Sequence, residues 1–295
     1  MQKRLWVPAI VVVLSLASWG CSSGADQFEY GGWTGQKDAG SGQDGSAIED
    51  ASSDADGDAD GDASIEVVIT ADNAYGFGYG TDNGLANYFG GMEAITAGEI
   101  FNCGEGPETY DIPPSAAAGA TYLYIVAYAD HSVTQGVIGQ FRRVGGGVAN
   151  FGDLITTGDE NWEVCAVGVD YDPGSGGPDR ETIDAAIVQC NDGSSMDPMT
   201  TSMGWVDSVG TTYGALVIGE DNSTPYNNDM PENGNEFRVV CTDELDRQAR
   251  WMWFNWDPQN IVWPDQSPFM WPGGTNPDHE FLIFRLAAAV IPPIE

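Results

Sequence analysis

From residue 65 onward the apolar residues come in short bursts separated by polar, turn-forming stretches. IEVVIT (65–70), TYLYIVAYAD (121–130), GVIGQFRRV (136–144) and WEVCAVGV (162–169) begin the series, and GALVIGE (214–220), FRVVC (237–241), RWMWFNW (250–256) and EFLIFRLA (280–287) complete it. Each burst is rich in β-branched and aromatic residues and is bounded by Gly, Pro, Asn or Asp, the pattern of strands between turns. One stretch has a different period. In GPDRETIDAAIVQCND, Ile183, Ile187 and Cys190 fall on one helical face and Asp179 stands where an N-cap is needed, so a helix is expected here. Many short strands, one local helix and no internal repeat predict a β-sandwich or jelly roll with long loops, built as a single domain over residues 65–295.

The densest aromatic run is WMWFNWDPQNIVW at 251–263. In a strand, alternate residues face opposite sides, so Trp251 and Trp253 share one face while Met252 and Phe254 share the other. Both faces are apolar, which is what a strand covered on both sides requires. Trp251 and Trp253 are therefore expected in the core. After Asp257-Pro258 the pattern breaks into NIVWPDQSPFMWPGG, whose prolines forbid a regular central strand. Trp263 and Trp271 each precede a proline, which holds their backbones extended on a loop. Two readings stay open for them. They fold back as a lid over the core, or, with Trp256, they present rings to the apolar faces of sugars while Asp257, Asp265 and Asn276 meet the hydroxyls.

The N-terminal pattern points to export. MQKR supplies positive charge, LWVPAIVVVLSLA is an apolar run, and SWGC follows. The run is shorter than the roughly 20 residues that a bilayer-spanning helix needs. It has the layout of a secretory signal. Gly20, then Cys21, then Ser22 and Ser23 match a bacterial lipoprotein box, so residues 1–21 are read as a signal ending at a lipidated Cys21. Ser22 in place of Asp points, by analogy, to the outer membrane, on its periplasmic or its cell-surface face. Residues 22–64 hold eleven acidic residues and one Lys, with almost no aliphatics. Such a composition cannot bury enough apolar surface to offset chain entropy, and a disordered acidic linker is expected. DADGDADGD within it resembles half of an EF-hand loop but lacks the closing Glu, which favours a solvated linker.

Charge removes one class of partner. The domain carries seven Arg, no Lys and 34 acidic residues, a net charge near −27. A nucleic-acid footprint needs clustered cations, and none is present. Catalytic patterns are missing too: there is no G-x-S-x-G, H-E-x-x-H or P-loop, and the only histidines are His131 and His279. GFGYG lacks the sixth-position Gly and the following helix of a dinucleotide loop. No enzyme is identified and no cofactor is expected beyond structural calcium. Two oxygen-rich loops are the candidates for that ion, one with Asp170, Asp172 and Asp179, the other with Glu220 and Asp221. Four cysteines remain after Cys21, an even number suited to disulfides in an exported chain. Spacing alone admits three pairings. Cys165 ends a strand and Cys190 lies on the apolar face of the next helix, so Cys165–Cys190 is expected, which leaves Cys103 for Cys241.

Three segments carry a family likeness. ITADNAYGFGYG resembles the strand-turn signature of galactose-binding-like jelly-roll modules. TYLYIVAYADHSVTQGVIGQF resembles the paired strands that follow it, and ARWMWFNW with EFLIFRL resembles the Trp-rich and aromatic strands of the same modules. Here Gly78-Tyr79-Gly80 replaces the Asn-Gly that ends the first motif, and the Trp-rich strand comes last. The resemblance implies a jelly-roll fold and carbohydrate binding. The functional expectation is an outer-membrane-anchored lipoprotein presenting a β-sandwich for carbohydrate binding or adhesion, with polysaccharide or another envelope protein as partner. A structural or envelope-assembly lipoprotein without a small ligand is the alternative.

Overall fold

A computed structural model describes residues 63–128, 135–145, 151–170, 176–193, 204–211, 214–223, 239–255 and 280–294. Two antiparallel sheets pack face to face as a β-sandwich. The first contains β1 (Ser64–Asp72), β4 (Glu108–Ile112), β6 (Gly136–Val144), β9 (Ala215–Asp221) and β10 (Arg250–Asn255), in the order β4-β1-β6-β10-β9, with the short β7 (Ile155–Thr156) also paired to β6. The second contains β2 (Ala74–Thr81), β3 (Gly84–Glu93), β5 (Tyr122–Tyr128), β8 (Trp162–Asp170) and β11 (Glu280–Ala287), in the order β3-β2-β5-β11-β8. Short helices α1 (Ala97–Phe101) and α2 (Pro114–Ala117) flank β4, and α3 (Arg180–Asp192) follows β8.

The alternation within each strand builds two layers of core. Val67, Phe141, Leu123, Ile125, Trp162, Val164, Leu282 and Phe284 belong to the main apolar cluster between the sheets. Phe141 meets Trp162 at 5.2 Å and Trp253 meets Phe284 at 6.1 Å, each contact bridging the two sheets. The intervening residues Tyr124, Val126, Tyr128, Cys165 and Ile283 form a second cluster with Ile183, Ala186, Ile187 and Cys190 of α3. Helix α3 thus covers the outer face of the second sheet, which is why YLYIVAY and FLIFRL read as nearly continuous apolar runs. The expected helix is present with the expected face. Asp179 caps it, accepting from the Thr182 amide at 2.8 Å, and Gly193 ends it in the left-handed conformation (φ 63°) that glycine adopts without steric cost. That amide also holds the Asp179 carboxyl below the usual carboxylate range.

Both expected cysteine pairs lie at bonding distance: Cys165 with Cys190, joining β8 to α3, and Cys103 with Cys241, their Cα atoms 6.1 and 4.8 Å apart. Trp251 and Trp253 are buried, at 1 and 2 % exposure, as are Met252 and Phe254 between and beside them. A register shift between Arg250 and Met252 interrupts strict alternation, and the two tryptophans find different partners. Trp251 packs against Phe101 of α1, whereas Trp253 reaches the second sheet.

Some sequence-based expectations need correction. FRVVC is not a strand over its described part, 239–241. Val240 and Cys241 are buried in an irregular segment that crosses over the first sheet. Asn222 pins this segment, accepting from the Val240 amide at 2.7 Å and donating to the Val240 and Leu245 carbonyls, and Gln140 accepts from the Asp246 amide at 2.7 Å. Buried amides can stabilise a loop in this way because their hydrogen-bonding groups are matched by main-chain partners. The glycine-rich strand β3 did not figure among the apolar bursts, and neither did the short strands β4 and β7.

Candidate functional site

The chain passes from one sheet to the other at Asn73, the single residue between β1 and β2, after a cis peptide bond from Asp72. Asp72-Asn73 is therefore a sheet-to-sheet crossover rather than a hairpin turn. Past it, GFGYG forms β2 for a clear steric reason. A Cβ at Gly76 would sit 2.2 Å from the Tyr88 hydroxyl and 2.8 Å from its ring, so only glycine lets that ring lie across the strand. The alternate residues Phe77 and Tyr79 point the other way, into the edge of the main core.

Strands β3 and β4 are the outer strands of the two sheets on the same side of the sandwich, and aromatic rings fill the gap between them. Phe77 of β2 is fully buried and stacks on Phe89 of β3, ring centroids 5.7 Å apart and planes within 9°. Tyr110 of β4 lies 5.0 Å from Phe77 and 5.1 Å from Phe89, and Tyr79 lies 6.2 Å from Phe89. Phe89 keeps 43 % of its surface exposed. With one ring face held by Phe77, it is a fixed apolar platform at the surface. Met92 (43 %), also on β3, and Ile95 (76 %), just before α1, are exposed as well.

Met92 also lines a cleft of about 220 Å³. Asn73, Tyr75, Met92 and Glu93 line one part of it, and Glu99, Glu105 and Glu108 come from the α1–β4 segment. Among the described residues no Lys, Arg or His lines it. Its geometry is built locally. Thr96 and Glu99 cap α1 reciprocally, the Glu99 carboxylate accepting from the Ile95 and Thr96 amides at 2.7 and 3.0 Å. Thr70 of β1 donates to the Ile100 carbonyl, and the Cys241 amide donates to the Phe101 carbonyl, so α1 is fastened to the first sheet and to the Asn222-pinned segment.

At the base of the cleft Tyr75 donates to a Glu108 carboxylate oxygen at 2.7 Å, and its oxygen lies 2.9 Å from the Tyr110 hydroxyl. A phenol has one proton, so with that of Tyr75 committed to Glu108, Tyr110 is the donor to Tyr75. Burial pushes the Glu108 carboxyl up and the nearby Glu99 adds to this, while the Tyr75 hydrogen bond pulls it back. Burial also raises the Tyr75 phenol well above its ordinary value and raises Tyr110 to about 12. The arrangement offers hydrogen-bond acceptors and negative potential next to a fixed aromatic surface. That suits a ligand with hydroxyl or ammonium donors and an apolar face.

The residues singled out from the sequence are distributed differently. Trp256, Asp257, Trp263, Asp265, Trp271 and Asn276, the candidate sugar contacts, lie outside the described residues, as do Cys21 and Asp172. Asp170 is at the end of β8. Asp179 is occupied as the α3 cap, and Asp221 accepts from the Ser223 amide at 2.9 Å and from its hydroxyl, closing its own turn. Glu220 lies within β9. Among the described residues no group of three or more His, Cys, Asp or Glu side chains is placed to hold a metal ion, and no helix is long and apolar enough to cross a membrane. The Phe89 edge was missed because GLANYFGGME carries three glycines, which mask its strand character. The one available signal was the aromatic-glycine alternation shared by GFGYG and NYFGG. Comparison of the chain with protein-family models, with curated proteins and with solved structures finds no match.

Proposed function

We propose that this is an exported, lipid-anchored protein of the bacterial outer membrane whose β-sandwich binds carbohydrate, in the manner of galactose-binding-like modules. The observation that carries the binding reading is the Phe89 ring, stacked on the core at Phe77 yet 43 % exposed, beside a cleft of carboxylates. Sugar rings present C–H faces that pack on aromatic surfaces and hydroxyls that donate to carboxylates, and sites of this kind combine an apolar surface with a few convergent polar groups. Support for export comes from the basic start, the short apolar run, the Gly20-Cys21-Ser22 sequence and the two cysteine pairs within the domain.

Two experiments test the reading. Affinity electrophoresis of the full chain through gels containing soluble polysaccharides should show retardation that Phe89→Ala abolishes. Retention that Phe89→Ala leaves intact would move the site elsewhere, the Trp263–Trp271 loop being next, and retention by no polysaccharide would favour the structural lipoprotein. Replacement of Cys21 by Ala should release the protein from the membrane fraction. A variant that still sediments with membranes refutes the anchor.

A further inference from the structure

Each sheet of the sandwich carries a cover on its outer face, and each cover is fastened by a cysteine pair. On the second sheet the cover is α3, joined to β8 through Cys165 and Cys190, both buried at 3 % exposure. On the first sheet it is α1 with the irregular segment 239–249, joined through Cys103 and Cys241. Phe141 points between the sheets, so its neighbour Gln140 faces outwards, where its amide meets the Glu244 carbonyl and the Asp246 amide of that segment. The two fastenings differ in access. Cys241 is buried at 5 %, and of these four cysteines Cys103 alone is exposed. We infer that Cys103–Cys241 is a thiol–disulfide exchange site, attacked by a dithiol at the Cys103 sulfur, and that its opening loosens α1 while α3 stays closed. The site acts in this way whatever the Phe89 edge binds.

Exchange begins when a thiolate reaches one sulfur of the bridge, so its rate follows access, and exposed bridges are the labile ones. Cys103 stands in the turn after α1, open to solvent, whereas Cys165 and Cys190 are enclosed between β8 and the helix. In the first step the attacking sulfur bonds to Cys103 Sγ and the bridge breaks. Cys241 leaves as a thiolate and takes up a proton. The second thiol of the reagent then displaces Cys103 and closes on the first sulfur. The dithiol ends as a disulfide, and the protein has gained two electrons and two protons. What remains to hold α1 is Thr70 donating to the Ile100 carbonyl at 3.2 Å, the Cys241 amide donating to the Phe101 carbonyl at 3.0 Å, and Phe101 against Trp251. A five-residue helix does not persist on its own propensity, so loss of the bridge is felt there first.

The test uses the full chain under native conditions with dithiothreitol as the dithiol, quenched with N-ethylmaleimide in denaturant and read by peptide mass spectrometry. Cys103 and Cys241 should be labelled at a rate proportional to dithiothreitol and about tenfold or more faster than Cys165 and Cys190. With the protein unfolded beforehand the two rates should converge. A pulse of the monothiol 2-mercaptoethanol should leave its adduct on Cys103 and a free thiol at Cys241. Hydrogen exchange of the selectively opened protein should show lost protection at residues 97–102 and at Cys241, with α3 unchanged. Cys103→Ser with Cys241→Ser should reproduce that pattern without reagent. Opening of both pairs together, or at a rate independent of dithiothreitol, overturns the inference, because the bridge is then reached only by unfolding. An adduct on Cys241, a rate ratio that persists in the unfolded chain, or unchanged protection of α1 overturns it equally.

Discussion

Two aromatic regions of this sandwich are built from the same residue types and come to opposite ends. Trp162 and Trp253 lie between the sheets against Phe141 and Phe284, sealed from solvent. At the β3–β4 edge, Phe77, Phe89, Tyr110 and Tyr75 pack in a similar chain of ring contacts, with no strand beyond them among the described residues. The central rings therefore contribute stability and the edge rings leave surface available for contact. What separates the two is what covers the rings, not the chemistry of the side chains: Trp162 stands on the outermost strand β8 yet is sealed by Phe141 of the facing sheet, whereas Phe89 on the outermost strand β3 keeps 43 % of its surface exposed.

The comparison is sharpened first by cutting the covalent tie that holds the edge segment. Converting Cys103 and Cys241 together to Ala should cost about 5 kcal/mol in the chain-entropy account, against about 3.5 kcal/mol for Cys165 and Cys190, because the loops closed span 138 and 25 residues. Urea denaturation of the two double variants checks the order. Equal losses would mean that local packing, not loop closure, dominates.

Next come the central rings. Trp162→Ala and Trp253→Ala should each lower stability by roughly 3–5 kcal/mol. Their phenylalanine variants should differ. Trp162 Nε1 donates to the Thr156 carbonyl at 3.0 Å, whereas Trp253 Nε1 has no hydrogen-bond partner among the described residues. Trp162→Phe should therefore be the more destabilising by about 1 kcal/mol, since it alone removes a made hydrogen bond. A reversed order would show that ring volume decides both sites.

At the edge, Phe89→Ala should cost only about 1 kcal/mol, the stacking contribution of a half-exposed ring, and shift the melting temperature by a few degrees at most. A loss as large as at Trp162 would erase the distinction between the two regions.

The smallest effect concerns Glu108. Its folded-state pKa lies above the ordinary value of 4.5, so the folded protein holds the proton more tightly than the unfolded chain. The resulting stability is fully present below the unfolded value and is lost as pH rises through the raised one. Wild type should gain on Glu108→Gln as pH falls from neutrality towards 4.5, while at neutral pH the variant should be at least as stable. Melting temperatures of both proteins across this range test the claim, and a gap that does not change with pH contradicts it.

Much of this molecule was determined by its sequence alone. Strands β1, β5, β6, β8, β9, β10 and β11 follow from β-branched and aromatic bursts, and α3 from the spacing of Ile183, Ile187 and Cys190 behind the Asp179 cap. These elements are buried on at least one full face, and burial writes a period into the chain that local reading recovers. The burial of Trp251 and Trp253 was legible for the same reason. What tertiary structure alone decided lies where that period fails. Strand β3 is rich in glycine because Gly84 lies against Asp184 of α3 and Gly91 against Gly176, not because it turns, and no local rule separates the two cases. FRVVC has a strand-like composition, yet Val240 and Cys241 sit in a pinned irregular segment, since Asn222, eighteen residues away from Val240, supplies the hydrogen bonds that a ladder would have supplied. The candidate site belongs to this second class. Phe89, Tyr110, Glu99 and Glu108 are scattered through unremarkable local sequence, and they become a platform and a cleft only because strands from two different sheets end side by side, a placement set by long-range pairing rather than by any neighbour in the chain.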